Sequence, residues 1–370
     1  PGVYIGQTGS PGSATMVRIR GVNTVNDNGP LYVIDGVATR NQNLSSLNPN
    51  DIASMQVLKD ASSAAIYGAQ AANGVILITT KSGTRTGQPK LTYDAYYGIQ
   101  KTTSRYDLVN SMDRLNLEWE AQNNSFLIRG TKFDENGVER FPTHAQFGTG
   151  PTPKIPNYMT TTGANGRTDI NINDYSFPGN QMVKFSDTNW WDEVDRTAPI
   201  QNHQLSLVGG NNKGQYLLGL NYFDQQGTVI HSYYKRYQTR INTSFDLRDW
   251  FRVGQNMQFT YSKDQGLQSS SSEASAYSYT YRPSPWVPVQ DEFGNWAGSK
   301  IAGTGNFVNV VAREIRNKDN YWVNTRLFGN VWAELDLMKE LTFRTSFGLD
   351  HTTYWGYNMS KKNPEFSESP

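Results

Sequence analysis

From residue 90 onward, apolar and polar residues alternate in long runs. Leu91, Tyr93, Ala95, Tyr97 and Ile99 share one parity, and Thr92, Asp94, Gly98 and Gln100 the other. The run at 236–247 is the clearest: Tyr237, Thr239, Ile241, Thr243, Phe245 and Leu247 alternate with Arg236, Gln238, Arg240, Asn242, Ser244 and Asp246. Phe251, Val253, Met257, Phe259 and Tyr261 then alternate with Arg252, Asn256, Gln258, Thr260 and Ser262. The same period recurs in Gln201–Gly209, Gln215–Asp224, Tyr321–Leu337 and Leu341–Tyr354, giving seven predicted strands. Successive side chains of a strand point to opposite faces, so each has one apolar and one polar face. Several exceed ten residues. Ordinary strands cluster at about 5–6 residues, whereas a tilted membrane-crossing strand needs roughly 9–11.

The connections alternate too. Gly210-Asn211-Asn212-Lys213-Gly214, Arg248-Asp249-Trp250 and Met338-Lys339-Glu340 are short. The others are long: about 101–200, 225–235 and about 264–319. Structureless loops of that size are unusual in a compact domain. Short turns at one end and long loops at the other are the habit of outer-membrane barrels. A soluble antiparallel sheet with one face on a core is the competing reading. Within the loops, Ser111–Asn124 predicts an amphipathic helix with Met112, Leu115 and Trp119 on one face. Residues 273–296 interleave Tyr277, Tyr279, Tyr281, Trp286 and Trp296 with Pro283, Pro285 and Pro288. If exposed, Tyr281, Trp286 and Trp296 would stack on sugar rings or a partner; if buried, they pack the loop against its neighbours.

Residues 1–83 have a different grammar, that of a small α/β unit. Strand-like runs are Met16–Arg20, Leu31–Ile34, Met55–Leu58 and Gly74–Thr80. The Ala- and Ser-rich stretch Asp60–Ala72 reads as helical, with Asp60 as N-cap and Gly68 as a stop. Turn chemistry at Asp35-Gly36 and Asn48-Pro49-Asn50-Asp51 separates the pieces. The predicted division is 1–83, a linker at 84–89, and 90–370.

Composition narrows the class. Among 370 residues, 34 Lys and Arg balance 33 Asp and Glu, which leaves no basic footprint for nucleic acid. No apolar run approaches the roughly 18 residues of a membrane helix, and Val75-Ile76-Leu77-Ile78 is the longest aliphatic stretch. There is no Cys, so disulfides and thiolate metal sites are excluded. His144, His203, His231 and His351 form no metal-spaced pair. The acidic-amide run Asp169–Asp174 lacks the Gly and distal Glu of a calcium loop. No catalytic constellation, cofactor motif or metal site is predicted, and an enzyme is disfavoured.

The series SPGSATMVRIRG (Ser10–Gly21), GPLYVIDGV (Gly29–Val37) and NPNDIASMQVLKDASSAAIYGAQAANGVILITTKSG (Asn48–Gly83) resembles the plug of SusC/RagA-type TonB-dependent outer-membrane transporters. Gln70 stands where these plugs often carry Arg. Residues 188–227 resemble the family's early barrel strands, and the loops 103–187 and 264–320 match nothing nameable. The resemblance implies a plug followed by a barrel of 22 strands, a size whose lumen is plugged. About seven strands are present here, so it also implies a partial chain. It implies TonB-driven import of an oligosaccharide or peptide across the outer membrane of a Gram-negative cell, with a SusD-like surface lipoprotein as lid. TonB would act through an N-terminal segment, and lipid would cover the barrel. Arg18 and Arg20 would latch the plug onto carboxylates of the inner wall, and Arg40, Asn41 and Gln42 would face substrate. A passive porin and a soluble carbohydrate-binding or adhesive β protein are the alternatives.

Overall fold

The computed structural model describes residues 2–6, 9–13, 15–19, 21, 28–39, 44–59, 65–85, 87–103, 105–265 and 275–368. Strands β1 (Val3–Gly6), β2 (Met16–Ile19), β3 (Leu31–Ile34), β4 (Val37–Thr39), β5 (Ile52–Leu58) and β6 (Val75–Thr80) lie in the N-terminal unit. The long strands are β7 (Lys90–Gln100), β8 (Ala198–Asn211), β9 (Gly214–Gln226), β10 (Tyr233–Arg248), β11 (Phe251–Asp264), β12 (Tyr321–Met338) and β13 (Leu341–Tyr357). They form one seven-stranded sheet in which each pairs antiparallel with its sequence neighbour, and β7 and β13 are its edges. Every alternating run of the sequence is a strand of this sheet. Asn212-Lys213, Asp249-Trp250 and Lys339-Glu340 make the tight turns. Register shifts at Asp246/Arg248 and Asp336/Met338 leave one extra residue beside two of those turns, which increases local twist.

Burial in the sheet is inverted relative to a soluble protein. Along β10, Arg236, Gln238, Arg240, Asn242 and Ser244 are buried, while Tyr237, Ile241, Phe245 and Leu247 are exposed. Arg240 is 2% exposed and Ile241 beside it 43%. The face carrying Arg240 packs on the N-terminal unit. Across the opposite face runs a row of rings: Tyr93–His203 (6.2 Å), His203–Tyr222 (6.1 Å), Tyr222–Tyr237 (5.1 Å) and Tyr237–Tyr261 (6.2 Å). Aromatic girdles of this kind mark the interfaces of membrane barrels. No described helix is long and apolar enough to cross a membrane, which says nothing of strands.

The N-terminal unit holds a four-stranded sheet of order β4-β3-β6-β5, with β3 and β6 parallel and the other pairs antiparallel. Its central strands β3 and β6 are buried on both faces along most of their length, as a two-sided core demands. Ile34, Ile76, Ile78, Tyr32, Leu47, Val17 and Ile19 fill one side, and Leu31, Val33, Val75 and Ala71 the other. Burial pushes the Tyr32 hydroxyl pKa up. The predicted helix between β5 and β6 is corrected where it is described. Residues 65–71 are 3-10 turns broken at Gly68, which takes φ 64° and ψ −156°. Glycine is favoured there because a Cβ resists that conformation. Asp60 lies outside the described residues.

The long loops are not loose. Helix α1 (Ser111–Ile128) starts at Asn110, whose side chain accepts from Asp113 N, while Asp187 Oδ1 accepts from Ser111 N at 2.8 Å. Its Leu115 and Trp119 enter a core with Phe147, Met159, Val183, Trp190, Val229, Trp286, Val287 and Phe307. Val310 and Val311 of helix α2 (Val310–Asn317) close it. The described residues of the connections 101–197, 227–232 and 275–320 therefore fuse into one cap at the long-loop end of the sheet. Met112, expected on the buried face of α1, is instead 45% exposed, because the core meets the face of Ser111, Leu115 and Trp119. Tyr175 donates to Asp291 Oδ2 at 2.6 Å, and burial with this bond pushes its pKa up to about 12. Arg316 anchors the segment after β13 through Glu365 at 2.5 and 3.0 Å.

Trp286→Ala is expected to cost the cap about 3–5 kcal/mol, the range for deleting a buried Trp or Phe. Tyr281→Ala should lie near neutral, since Tyr281 is 47% exposed. Proteolysis rates of the cap in the full-length protein compare the two. A pH effect follows from Glu314 of α2. Burial raises its pKa above the ordinary value of a glutamate, against the pull of Arg313. A carboxyl raised in the folded state stabilises below its unfolded pKa, and that stability is lost as pH rises through the folded pKa. Glu314→Gln should raise the cap's thermal stability at pH 7 and leave it unchanged near pH 4, as read by melting at both values.

Candidate functional site

A polar strand face turned away from solvent needs partners, and the N-terminal unit supplies them. Asn48-Pro49-Asn50-Asp51 forms a 3-10 turn in which Asn48 caps Asn50 N and Asp51 is buried. The Asp51 carboxylate accepts from Gln238 Nε2 (2.7 Å), Arg240 Nε (3.1 Å) and Gln204 Nε2 (3.3 Å). Arg240 also lies 3.8 Å from Asp35, and it reaches sideways to Gln258 on β11. Asp35 in turn accepts from Thr80 N and Thr80 Oγ1 at 2.8 and 2.6 Å. The pair Arg240–Asp51 has side chains 2% and 5% exposed, so it is screened little by salt. Gly219 leaves space for it, since a Cβ there would stand 3.2 Å from Gln204 Nε2 and 3.7 Å from Asp51 Oδ1.

Two further arginines grip the same unit. Arg326 on β12 donates to Asp350 through Nε and Nη2 (2.8 and 2.9 Å), to Ser46 Oγ (2.9 Å) and to Thr39 Oγ1 (3.3 Å). Thr39 Oγ1 donates to Asp350 Oδ2 at 2.7 Å. Arg236 on β10 donates to the carbonyls of Ser45 and Leu47 and to Asn221 Oδ1. Amides complete the seam: Gln258 on Ser46 O (2.7 Å), Asn242 on Lys81 O (2.7 Å) and Asn330 on Asp35 O (2.7 Å). At the tight-turn end, Arg85 pairs with Asp246, and the Gly83 backbone lies against Tyr216 so closely that a Cβ would collide with it.

Cavities flank this seam at opposite ends. One, of about 520 Å³, lies toward the tight turns and is lined by Asp35, Thr80, Gly83, Gln215, Asn256 and Trp332. The other, of about 470 Å³, lies toward the cap and is lined by Gly12, Asn48, Tyr96, Gln225, Tyr234 and Arg236. Among the described residues no cluster of His, Cys, Asp and Glu could hold a metal ion. The arrangement holds one body against a wall with many polar contacts and leaves space on both sides of it.

The latch runs opposite in charge to the sequence expectation. Arg18 sits half-buried on β2, opposite Tyr4, and forms no ion pair among the described residues. Arg20, Arg40, Asn41 and Gln42 lie outside the described residues. The wall provides the cations and the N-terminal unit the carboxylate. Cations on the polar parity of β10 were visible in the sequence, and a buried Arg at 236 and 240 calls for acceptors on whatever faces it. Trp286 is fully buried in the cap core, the packing alternative of the two that the sequence left open: its ring packs on Phe147 and His144. Trp296 packs against the same core, and its carbonyl accepts from Gln181. Tyr281 alone of the three stays exposed, on the rim of a cavity of about 170 Å³, edge-on to Tyr106 at 6.0 Å.

Residues 1–75 match the TonB-dependent Receptor Plug Domain. TonB-dependent receptor P26 of Formosa agariphila is 28% identical over 368 residues, 98% of this chain and 31% of the relative. TonB-dependent receptor SusC of Bacteroides thetaiotaomicron is 31% identical over 246 residues, 64% of this chain and 19% of the relative. The chain thus spans less than a third of these relatives' length. The structure of the RagAB peptide transporter superposes with a TM-score of 0.67 at 22% identity, covering 95% of this chain and 38% of that one. That likeness concerns the fold.

Asp51→Asn leaves the buried Arg240 with only the Asp35 carboxylate, 3.8 Å away, as counter-charge, and the expected cost to docking is about 3 kcal/mol, the low end of the range for breaking a buried pair. Arg240→Met should cost a similar amount. The double variant should lose clearly less than the sum. Urea-induced exposure of residues 1–83 to protease, in the full-length protein, measures all three.

Proposed function

We propose that this chain, which belongs to the SusC/RagA-type TonB-dependent receptors, forms a plug and the adjoining wall of an energised importer in the outer membrane of a Gram-negative bacterium. Residues 1–83 are the C-terminal part of the plug, 84–89 the linker, and 90–370 the N-terminal portion of the barrel wall with its external loops. The observation that carries this reading is the inverted sheet. Along its central strands, β10 most clearly, the apolar face is exposed and the polar face is buried on the plug, as a strand between lipid and a plugged lumen requires.

The mechanism is mechanical. Substrate, an oligosaccharide or a peptide, enters from the cap side and rests above the plug. A SusD-like surface lipoprotein closes over it. TonB, driven by the proton gradient of the inner membrane, pulls on a segment N-terminal to the plug. The pull breaks the seam of hydrogen bonds and the Arg240–Asp51 pair, which reform on release. No bond of the substrate changes, so the protein acts as a transporter and not as an enzyme.

The polar seam disfavours a passive porin, because a plug held this way obstructs the lumen. Two measurements test the reading on the full-length receptor. It should fractionate with outer membranes and require detergent, and it should show no steady conductance in a planar bilayer. A soluble protein or a permanently open pore overturns the proposal. Uptake of labelled oligosaccharides or oligopeptides by cells carrying this receptor should vanish on deletion of TonB.

A further inference from the structure

The cavity of about 470 Å³ has a peculiarity of charge. It is bounded on the plug side by Gly9, Ser10, Gly12, Ser13, Thr15, Ser45 and residues 47–50, and on the wall side by Tyr96, Gln100, Asn202, Phe223, Gln225, Tyr234 and Arg236. Among these described lining residues, Arg236 is the sole charged one. It is 5% exposed and forms no ion pair among the described residues. A guanidinium has five N–H donors. Arg236 spends three, on Ser45 O, Leu47 O and Asn221 Oδ1, and its Nε is buried with no acceptor among the described residues. By contrast, Arg240 and Arg326 on the same wall are each matched to a carboxylate.

A buried cation without a counter-ion costs several kcal/mol in desolvation. Neutral carbonyls and the Phe223 ring, 5.3 Å away, offset part of this. An anion arriving at the free donors would offset the rest. The site is also reachable from the correct side. Gln100 ends β7, Gln225 lies next to the end of β9, and Tyr234 lies next to the start of β10, all at the cap end of their strands. The volume falls within the range of small-ligand pockets, roughly 300–1,000 Å³. Amides of Gln100, Asn202 and Gln225 and the rings of Tyr96 and Tyr234 surround it, which suits a ligand rich in hydroxyls or amides.

We propose that this cavity binds a carboxylate of the transported molecule on Arg236, the acidic group of a uronate-containing oligosaccharide or the C-terminus of a peptide. The proposal rests on the importer reading and deepens it by naming the group recognised. Arg suits the task because its planar fork matches the two oxygens of a carboxylate. Arg236 also holds the carbonyls of Ser45 and Leu47, so ligand and plug share one side chain.

The test is calorimetric binding to the full-length receptor with four probes: tetragalacturonate, its methyl ester, tetra-alanine, and tetra-alanine amide. In the wild type one acidic probe should bind more tightly than its neutral counterpart by about tenfold or more, a gain of roughly 1.4 kcal/mol. The acidic probe that does so identifies the source of the carboxylate. Arg236→Gln should abolish the preference, and Arg236→Lys should keep part of it. Because Arg236 also contacts the plug, Asn202→Asp provides an independent check. It keeps the Oδ1 acceptor used by Asn221 and places a negative charge in the wall, so it should abolish the preference with the plug contacts intact. Equal binding within both pairs, a preference that survives Arg236→Gln, or no binding of any probe overturns the site. TonB-dependent uptake of the neutral probes with no acidic preference would sink the anion site and leave the importer standing. Loss of TonB dependence would strike the importer reading itself.

Discussion

The structure depends on one constraint: the polar face of the sheet is turned inward and must be satisfied there. Hydrocarbon cannot satisfy it, and neither can a second apolar layer. The plug does so with carbonyls, hydroxyls and one deeply buried carboxylate, Asp51, set against Arg240. This explains why the inner wall is rich in Gln, Asn and Arg and not in acids. Backbone carbonyls of a folded unit are abundant acceptors, and long donors such as Arg236, Gln258 and Asn330 reach them without exact complementarity of shape. Gly219 fits the same seam: a Cβ there would press on Gln204 Nε2 of the neighbouring wall strand at 3.2 Å and meet Asp51 Oδ1 of the plug at 3.7 Å.

Energetically such a seam is specific without being strong. Each neutral hydrogen bond contributes about 0.5–1.5 kcal/mol net. A buried ion pair returns little more than its desolvation cost, although breaking one side of it is expensive. The docked plug is therefore uniquely placed yet separable by force applied in sequence. The plug keeps its own core, Ile34, Ile76 and Ile78 against Tyr32 and Leu47, so separation from the wall need not unfold it at once.

The wall was legible in the sequence because its period is strict. Two-residue alternation sustained over 14 to 18 residues, as in β8, β10 and β12, has one structural meaning, and the tight turns fix its ends. The extra residues at the bulges and the ends of strands escaped, among them Ala198–Ile200 and Tyr233–Lys235, which the sequence reading assigned to loops. The plug strands were legible through turn chemistry around short aliphatic runs. The cap was not. Its core draws Leu115 and Trp119 from one loop, Val229 from a second and Trp286 and Phe307 from a third, and no local period signals partners that lie some 170 residues apart in the chain. The plug–wall contact was not read: the expectation put it on Arg18 and Arg20, although the wall arginines stood on the polar parity, and Asp51 looked like one more turn residue beside Pro49.

The short segment 45–51 binds these parts together. Ser45 and Leu47 offer carbonyls to Arg236, Ser46 receives Arg326 and Gln258, and Asp51 receives Arg240. Four residues of this seven-residue segment thus contact three wall arginines on β10 and β12, with the cap-side cavity against their outer edge. A 3-10 turn capped by Asn48 and stiffened by Pro49 joins the cavity end of this segment to Asp51. Proline at that position has its φ fixed in advance, so a shift at Ser45 cannot be absorbed freely before it reaches the carboxylate. Whatever occupies the cavity is in this way coupled to the most buried charge of the docking seam through covalent geometry, over one turn of chain.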